Sequence, residues 1–490
     1  MKVHTFKLVS LFCNIGSDSL VFSSLTFLFF FLPLTLLIYY TCPLKWKNSI
    51  LLIVSLIFYA WGEPVYIFLM IFSATSDYIH GLFIAKFRIS KPKKAKRILI
   101  SSFLINIGVL SFFKYCDFII NNFNLLFGTD FREMHLPLPI GISFYSFQTM
   151  SYIFDVYRGQ VQPQRSPIAL AMYVALFPQL IAGPIVRYSQ IAKELIHRTH
   201  TLTHFADGVI LFIIGLGKKV LIANNIGLLW KNIHTQHPGE LTVLTAWLGI
   251  IAFAFQIYFD FSGYSDMARG LGRMFGFTFP KNFNYPYTSK SITEFWRRWH
   301  MTLGGWFRDY VYIPLGGSKH RKAKMYRNLL IVWLLTGLWH GASWNFLLWG
   351  LYFGIIIAIE KSGLLQIVKR LHPAFQRMYF VFLILIGWLL FAFEDLSAGI
   401  LYGKSMFGLQ GNDLCNQQFL YDLYTNIILL SVCIVASTPF IKHFYRKFAA
   451  NSYSSSVIKM LGFVFLTSIL VISTAYLVDD SFNPFLYFRF

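Results

Sequence analysis

The sequence predicts an all-α polytopic membrane protein, and three observations carry that prediction. Of the 490 residues 56% are hydrophobic and only 13% are charged. A soluble chain would carry about 25% charged residues. Apolar runs of about 17 to 25 residues, the length that crosses a bilayer, recur from end to end. The third observation is where the charge lies. The 43 Lys and Arg, against 21 Asp and Glu, give a formal charge of +22 and gather in short clusters between apolar runs. Cytoplasmic loops obeying the positive-inside rule look like this, whereas nucleic-acid binding would need the charge along one face. No nucleic acid is therefore expected as a partner, while membrane lipids are.

Taken in order, residues 1–19 read as an N-terminal extension. The run Leu20 to Tyr40 has no small-residue cleavage site and is long enough to be a retained first span. Lys45 and Lys47 follow, then an apolar run to Trp61, a Gly62-Glu63-Pro64 break and a second run from Val65 to Ala85. The next loop, Lys86 to Arg97, holds seven basic residues in twelve. Two basic loops separated by two apolar runs put both loops in the cytoplasm. Ile98 to Phe113 leads outward, and the mixed segment to about Pro137 reads as an external connection. Pro139 to Tyr145 and Gln179 to Pro184 carry Gly and Pro where the backbone bends. Such breaks at membrane depth need protein or a wet cavity to satisfy the freed backbone, which points to a packed, re-entrant core.

Gly208 to Trp230, interrupted by Lys218 and Lys219, and Thr242 to Phe259 supply two more apolar elements. Gly270-Leu271-Gly272 has a superficial dinucleotide look, without a G-x-G-x-x-G or a βαβ setting to support it. The C-terminal third reads as plain spans: Met378 to Phe393, Asn426 to Phe440 and Met460 to Val478. Five scattered cysteines show neither C-x-x-C pairing nor metal-ligand spacing, so no metal is expected. With no internal repeat and no soluble segment, residues 20–490 are expected to form a single integral domain. It would hold roughly 11 to 13 transmembrane or re-entrant helices, with a catalytic core near 258–360.

The candidate chemistry centres on His340. Leu329 to Ile359 is a run of 31 residues with no formally charged side chain, and His340 sits inside it. A titratable group in such a run is a functional candidate by default. Basic clusters flank the run, Lys319 to Arg327 before it and Lys361 to Arg370 after it, so the run must enter and return. Leu329 to Trp339 rises roughly 16 Å as a helix and Gly341 to Ile359 roughly 28 Å, against a hydrocarbon layer of about 30 Å. His340-Gly341 is therefore expected at a turn inside the membrane, with Gly337 and Gly341 giving the backbone room. A neutral imidazole there can act as general base or as nucleophile.

A second cluster lies upstream. Glu294 can pair with Arg298 at i, i+4 and with Arg297 at i, i+3 on a helix, and Arg308-Asp309 adds another pair. Trp296, Trp299 and Trp306 suit an interfacial position. The cluster reads either as an amphipathic interfacial helix or as a basic, aromatic lining for a phosphate-bearing acyl donor, and the two are compatible. Soluble-enzyme signatures are missing: there is no G-x-S-x-G elbow and no H-E-x-x-H.

Several stretches together are identified by their similarity to a known family. They are Tyr258 to Asp266, Lys281-Asn282-Phe283-Asn284, Ser291 to His300, Arg308-Asp309-Tyr310, Leu315-Gly316-Gly317 and Gly337-Leu338-Trp339-His340-Gly341. They resemble the motifs of the membrane-bound O-acyltransferase family, and within it the bacterial branch that contains the alginate O-acetylation protein. Val21 to Ser24, Ala182-Gly183-Pro184 and Asn483-Pro484-Phe485 fit that branch as well, while Met301 departs from its usual smaller residue. The resemblance implies helices around a central tunnel, with His340 as the essential histidine and His300 as a second catalytic position. It implies that Glu294, Arg297, Arg298, Trp299, Arg308, Asp309, Trp339, Asn284, Asp260 and Asp266 line the tunnel or the substrate path. It further implies acetyl transfer from a cytoplasmic donor, acetyl-CoA, with no tightly bound cofactor. The acetyl group would move across the bacterial inner membrane toward an extracytoplasmic polysaccharide, alginate-type or cell-wall, through a separate periplasmic or surface-exposed acetyltransferase. A transporter or flippase with His340 as proton relay is the alternative, and a scaffold role in a polymer-export complex is the third reading. Transporters tend to show internal repeats and intramembrane acids, of which Asp260 and Asp266 are the mid-chain examples.

Overall fold

The computed structural model describes residues 20–449 and 455–479, apart from Ala182 and His320. The 1–19 extension, Ala182 of the Ala-Gly-Pro break and Asn483 to Phe485 lie outside the described residues. The described chain is all-α, with no strand. Its contacts divide it into two compact units. The first falls within Met1–Cys116, Met134–Phe205 and Leu271–Phe279, and the second within Asp117–Glu133, Ala206–Gly270 and Pro280–Phe490.

The first unit holds helices α1 (Leu32–Thr41), α2 (Lys47–Gly62), α3 (Ile67–Phe87), most of α4 (Pro92–Phe127), α5 (Ile142–Arg158) and α6 (Pro167–Ala175). Phe22, Phe27, Phe31, Phe58 and Phe177 interlock at its centre, with Phe31 and Phe177 edge to face at 5.5 Å. Asp77 on α3 is fully buried and binds α3 to α4, because Ser102 Oγ donates to it at 2.6 Å and Asn106 Nδ2 at 2.8 Å. Thr149 of α5 extends the network by donating to Asn106 Oδ1. Gly141 opens α5 with a left-handed backbone (φ 74°), and a Cβ there would lie 2.5 Å from Leu180 O.

α4 departs from the expectation of a span ending near Phe113. It runs on as one helix of 36 residues, about 54 Å long at 1.5 Å per residue. The stretch 114–127 contains no Gly or Pro to stop it, and Gly128, left-handed at φ 64°, follows its end.

The second unit takes most of α7 (Leu202–Gly217) and α8 (Val243–Met274), the short helices α9 (Ile292–Trp296) and α10 (Met301–Phe307), α11 (Lys322–His340), α12 (Trp344–Ile359), α13 (Pro373–Ala392), α14 (Gln417–Ala436) and α15 (Ser455–Asp479). After α7 the chain widens into a π-helical turn, Lys218–Asn224, which presents Lys218 and Lys219 to α8. α8 is the central element: 72% of its apolar stretch is buried, against 11% for α14 and 6% for α15. Among the described residues, seven helical segments are long and apolar enough to cross a membrane: α3, α4, α8, Trp344–Arg370, α13, α14 and Ser456–Asp479. The protein is a multi-pass membrane protein.

Candidate active site

α11 ends on His340, and after three intervening residues α12 begins at Trp344. This is the turn expected from the short apolar leg. The helix itself is longer than that leg, since it starts at Lys322 in the basic stretch and reaches about 28 Å. The two helices touch backbone to backbone. A Cβ on Gly337 would lie 2.3 Å from Phe346 O, and one on Gly350 would lie 2.4 Å from Trp333 O. Gly341 leaves room for the Phe346 ring, which a Cβ would meet at 2.1 Å.

That close packing sets the walls around His340, which is 5% exposed. Its ring lies 4.9 Å from Trp339, 4.9 Å from Trp349 and 5.3 Å from Phe391 of α13, all nearly edge to face. Trp339 also faces His300, at 5.8 Å between ring centroids. The two sequence-predicted histidines therefore share one indole as a neighbour. Phe261 of α8 closes on His300 from another side at 4.8 Å.

His300 sits in the left-handed region (φ 42°, ψ 52°), an uncommon backbone for a β-carbon-bearing residue. Asn282 holds it there. The Asn282 carbonyl accepts from Met301 N at 2.9 Å, and its side-chain Oδ1 accepts from Thr302 N at 3.2 Å and Thr302 Oγ1 at 3.0 Å. The same Oδ1 lies 3.2 Å from His300 Nδ1. A backbone N–H only donates, so the atom facing Thr302 N is the amide oxygen, and Nδ1 of His300 must be the protonated nitrogen. Nε2 then carries the lone pair. Burial pushes the His300 imidazole down to about 3, so it is neutral at physiological pH.

The short helix α9 is capped from two directions. Ser291 Oγ accepts from Glu294 N at 3.1 Å, and the buried Glu360 carboxylate accepts from Ile292 N at 2.9 Å and Thr293 N at 2.8 Å. Tyr379 of α13 donates to the same carboxylate at 3.1 Å. Glu360 thus ties the motif helix to the end of α12.

The remaining predicted residues divide into buried and exposed groups. Trp299 is 4% exposed and packs on Trp388 at 5.0 Å and Phe283 at 5.1 Å. Trp306 is likewise buried, and Trp296 packs on Trp333, Trp349 and Phe353. These tryptophans belong to the protein interior rather than to an amphipathic interfacial helix, because α9 is only five residues long and its rings turn inward. Glu294 pairs with Arg298 at 2.7 Å, half-buried, while Arg297 is exposed. Arg308 is 65% exposed and grips Asp309 with two bonds at 2.7 and 3.1 Å. Asn284 accepts from Lys281 Nζ at 2.7 Å, so it is Asn282, its neighbour two residues earlier, that reaches His300. Asp260 and Asp266 are ion-paired, the first with buried Lys219 at 2.7 Å and the second with Lys218 at 2.7 Å and Arg269 at 3.0 Å.

Two buried imidazoles beside shared aromatic rings, one of them fixed as an Nδ1–H tautomer, have the chemistry to take a proton from a hydroxyl. The chain's similarities agree with this chemistry. Residues 159–393 match the model of MBOAT, the membrane-bound O-acyltransferase family. A "Probable alginate O-acetylase AlgI" of Azotobacter vinelandii is 38% identical over 96% of this chain and 100% of its own length.

The chain belongs to the membrane-bound O-acyltransferase family.

It is an O-acyltransferase. Other relatives differ in what they are named for. A peptidoglycan O-acetyltransferase of Helicobacter pylori is 33% identical over 96% of this chain and 98% of its own length. A teichoic acid D-alanyltransferase of Bacillus subtilis is 30% identical over 44% of this chain and 58% of its own length. Sequence reasoning overlooked Asn282, Trp349, Phe391 and Glu360. Asn282 lies in the Lys281-Asn282-Phe283-Asn284 stretch, while Glu360 is the first charged residue after the run around His340.

Proposed function

We propose that the protein carries an acetyl group from acetyl-CoA on the cytoplasmic side of the bacterial inner membrane toward an extracytoplasmic polysaccharide. His340 is the group that acts on the acyl transfer. As a base, its imidazole takes the proton of an acceptor hydroxyl as that oxygen attacks the thioester carbonyl. The new ester bond forms, the carbon–sulfur bond breaks and the thiol of the donor leaves with a proton. As an acyl acceptor, the imidazole nitrogen itself attacks the thioester carbonyl, the carbon–sulfur bond breaks and the thiol leaves with the imidazole proton; the acceptor hydroxyl then takes the acetyl group from the ring and returns its own proton to it. In either case a separate periplasmic or surface-exposed transferase receives the acetyl group and delivers it to the sugar.

The observation that carries this reading is the burial of His340 between Trp339, Trp349 and Phe391 with His300 across Trp339. The names of the relatives support polysaccharide or wall modification as a class, since alginate, peptidoglycan and teichoic acid all occur among them. A proton-relay transporter finds less support, because the mid-chain acids Asp260 and Asp266 are already committed to lysine and arginine partners.

The test is His340→Ala in a strain lacking the native gene, with alkali-released acetate measured from capsule and wall fractions. Loss of general acid–base catalysis lowers a rate by about 10²- to 10⁴-fold, so acetate should fall to the deletion level while the membrane content of the protein is unchanged. Normal acetylation by an intact His340→Ala protein would refute the catalytic role.

A further inference from the structure

In the first unit, basic side chains converge where α1 ends and α2 begins. Lys47, the first residue of α2, is only 6% exposed. Its Nζ stands 4.4 Å over the Tyr39 ring and 5.1 Å over the Tyr40 ring, and no carboxylate meets it among the described residues. Arg198 approaches from the 187–204 stretch, with its guanidinium 4.6 Å over Phe277 and 5.9 Å from Tyr39. Its Nη2 donates to Asn48 Oδ1, while Nη1 is buried with no hydrogen-bond partner.

His200 completes the group. Tyr39 Oη donates its one proton to Phe275 O at 2.8 Å, so the 2.9 Å contact between that oxygen and His200 Nε2 is donated by the imidazole. Burial holds the His200 imidazole below its ordinary range, and the nearby charges of Lys47 and Arg198 add to the depression; Tyr39 is the shared neighbour of Lys47, Arg198 and His200. Glu194 is the carboxylate that Arg198 feels, yet it accepts from Thr278 N at 3.1 Å and makes no ion pair with Arg198 among the described residues.

The charges of Lys47 and of half-buried Arg198 repel each other around Tyr39, and the buried Arg198 Nη1 without an acceptor adds a desolvation cost. An anion with several acceptor oxygens would relieve both. Phosphate suits the pair, since Arg offers a planar fork and Lys a point charge. The neighbouring loops, with Lys45 and the seven basic residues of Lys86 to Arg97, assign this end of the unit to the cytoplasm.

We propose that Lys47 and Arg198, set around Tyr39 beside His200, form a cytoplasmic binding site for a phosphate or diphosphate group. The group belongs either to an anionic phospholipid headgroup or to a free phosphorylated molecule. The site does not depend on acetyl-CoA being the acyl donor.

The full chain, purified in detergent, is titrated with inorganic pyrophosphate at constant ionic strength, and its thermal unfolding is followed. A specific site raises the unfolding temperature saturably. A parallel arm places the protein in nanodiscs of phosphatidylcholine with or without phosphatidylglycerol and measures by native mass spectrometry which lipid stays bound. Pyrophosphate stabilisation identifies a free phosphorylated ligand, and retained phosphatidylglycerol identifies a headgroup. The double variant Lys47→Gln/Arg198→Gln should lose about tenfold or more in whichever binding is seen, while Lys47→Arg keeps the charge and most of the binding. A wild-type protein that responds to neither probe, or a folded double variant that binds both as well as wild type, would overturn the site. The wild-type titration does not rely on any variant folding, and binding is read without any activity measurement, so its outcome is separable from that of His340→Ala.

Discussion

Asn282 decides which nitrogen of His300 carries the proton. Its Oδ1 is pinned by Thr302 N–H and receives Nδ1–H, leaving Nε2 as the basic nitrogen of a neutral ring. Asn282→Ala removes that acceptor and strands the buried Thr302 N–H, at a cost of about 1–3 kcal/mol. Acyl transfer should fall at every pH. Asn282→Asp keeps the acceptor but sets a carboxylate beside the imidazole, which favours the protonated form and raises its pKa from about 3. The expected outcome is near-normal activity at high pH and an acid-side decline that begins at a higher pH than in wild type. A pH–rate profile in membranes distinguishes the two variants, and identical profiles would exclude a role in orienting His300. His340 could be read from the sequence because an imidazole stands out in 31 residues without a charge. Asn282 could not be singled out, because the motif offers Asn282 and Asn284 two positions apart. Which of them meets His300 shows only in the contacts of Asn282 with His300 and Thr302, 18 and 20 residues away in sequence.

At the level of helices, glycine decides how close neighbours come. α7 and α8 cross on two glycine pairs spaced seven residues apart. A Cβ on Gly263 would lie 2.7 Å from Gly215 O, and one on Gly270 would lie 2.6 Å from Gly208 O. The discounted Gly270-Leu271-Gly272 stretch is in part this contact. The α11–α12 hairpin repeats the device with Gly337 and Gly350, next to His340. Gly350→Ala would press a methyl group onto Trp333 O, which is backbone and cannot rotate away. Overpacking of this kind costs about 1–3 kcal/mol and should displace Trp349 from the His340 ring. Gly108→Ala is the control, because nothing lies within 4 Å of a Cβ there and it sits inside α4. It should be neutral or stabilising by about 0.4–1 kcal/mol. Thermal unfolding of the two variants in one detergent, with activity alongside, checks both signs. Helix existence was legible from apolar runs, but these contacts were not. Glu360 shows the same limit, since its purpose appears only when α9 is laid against the end of α12, 68 residues away in sequence.

The whole molecule is organised by charge as much as by apolar length. The apolar runs foretold an all-α membrane protein, and α8 proves to be its most enclosed candidate span while α14 and α15 stay largely uncovered by protein. The division into two units was not visible, because both draw on interleaved stretches of chain and periodicity reports only neighbours along a helix. Orientation rests on the positive-inside rule, and α4 offers a direct test of it. This single helix joins the basic loop that holds Ser90 to the segment that holds Asp130, and both side chains are exposed. In a background with all five cysteines replaced by serine, Asp130→Cys should react with a membrane-impermeant maleimide in intact spheroplasts. Ser90→Cys should react only after the membrane is opened. Its length of about 54 Å exceeds a hydrocarbon layer of about 30 Å, so the two positions have ample reach to emerge on opposite sides. The reverse labelling pattern would invert the chain, put Lys47 and Arg198 outside, and remove the cytoplasmic source of phosphate that their site requires.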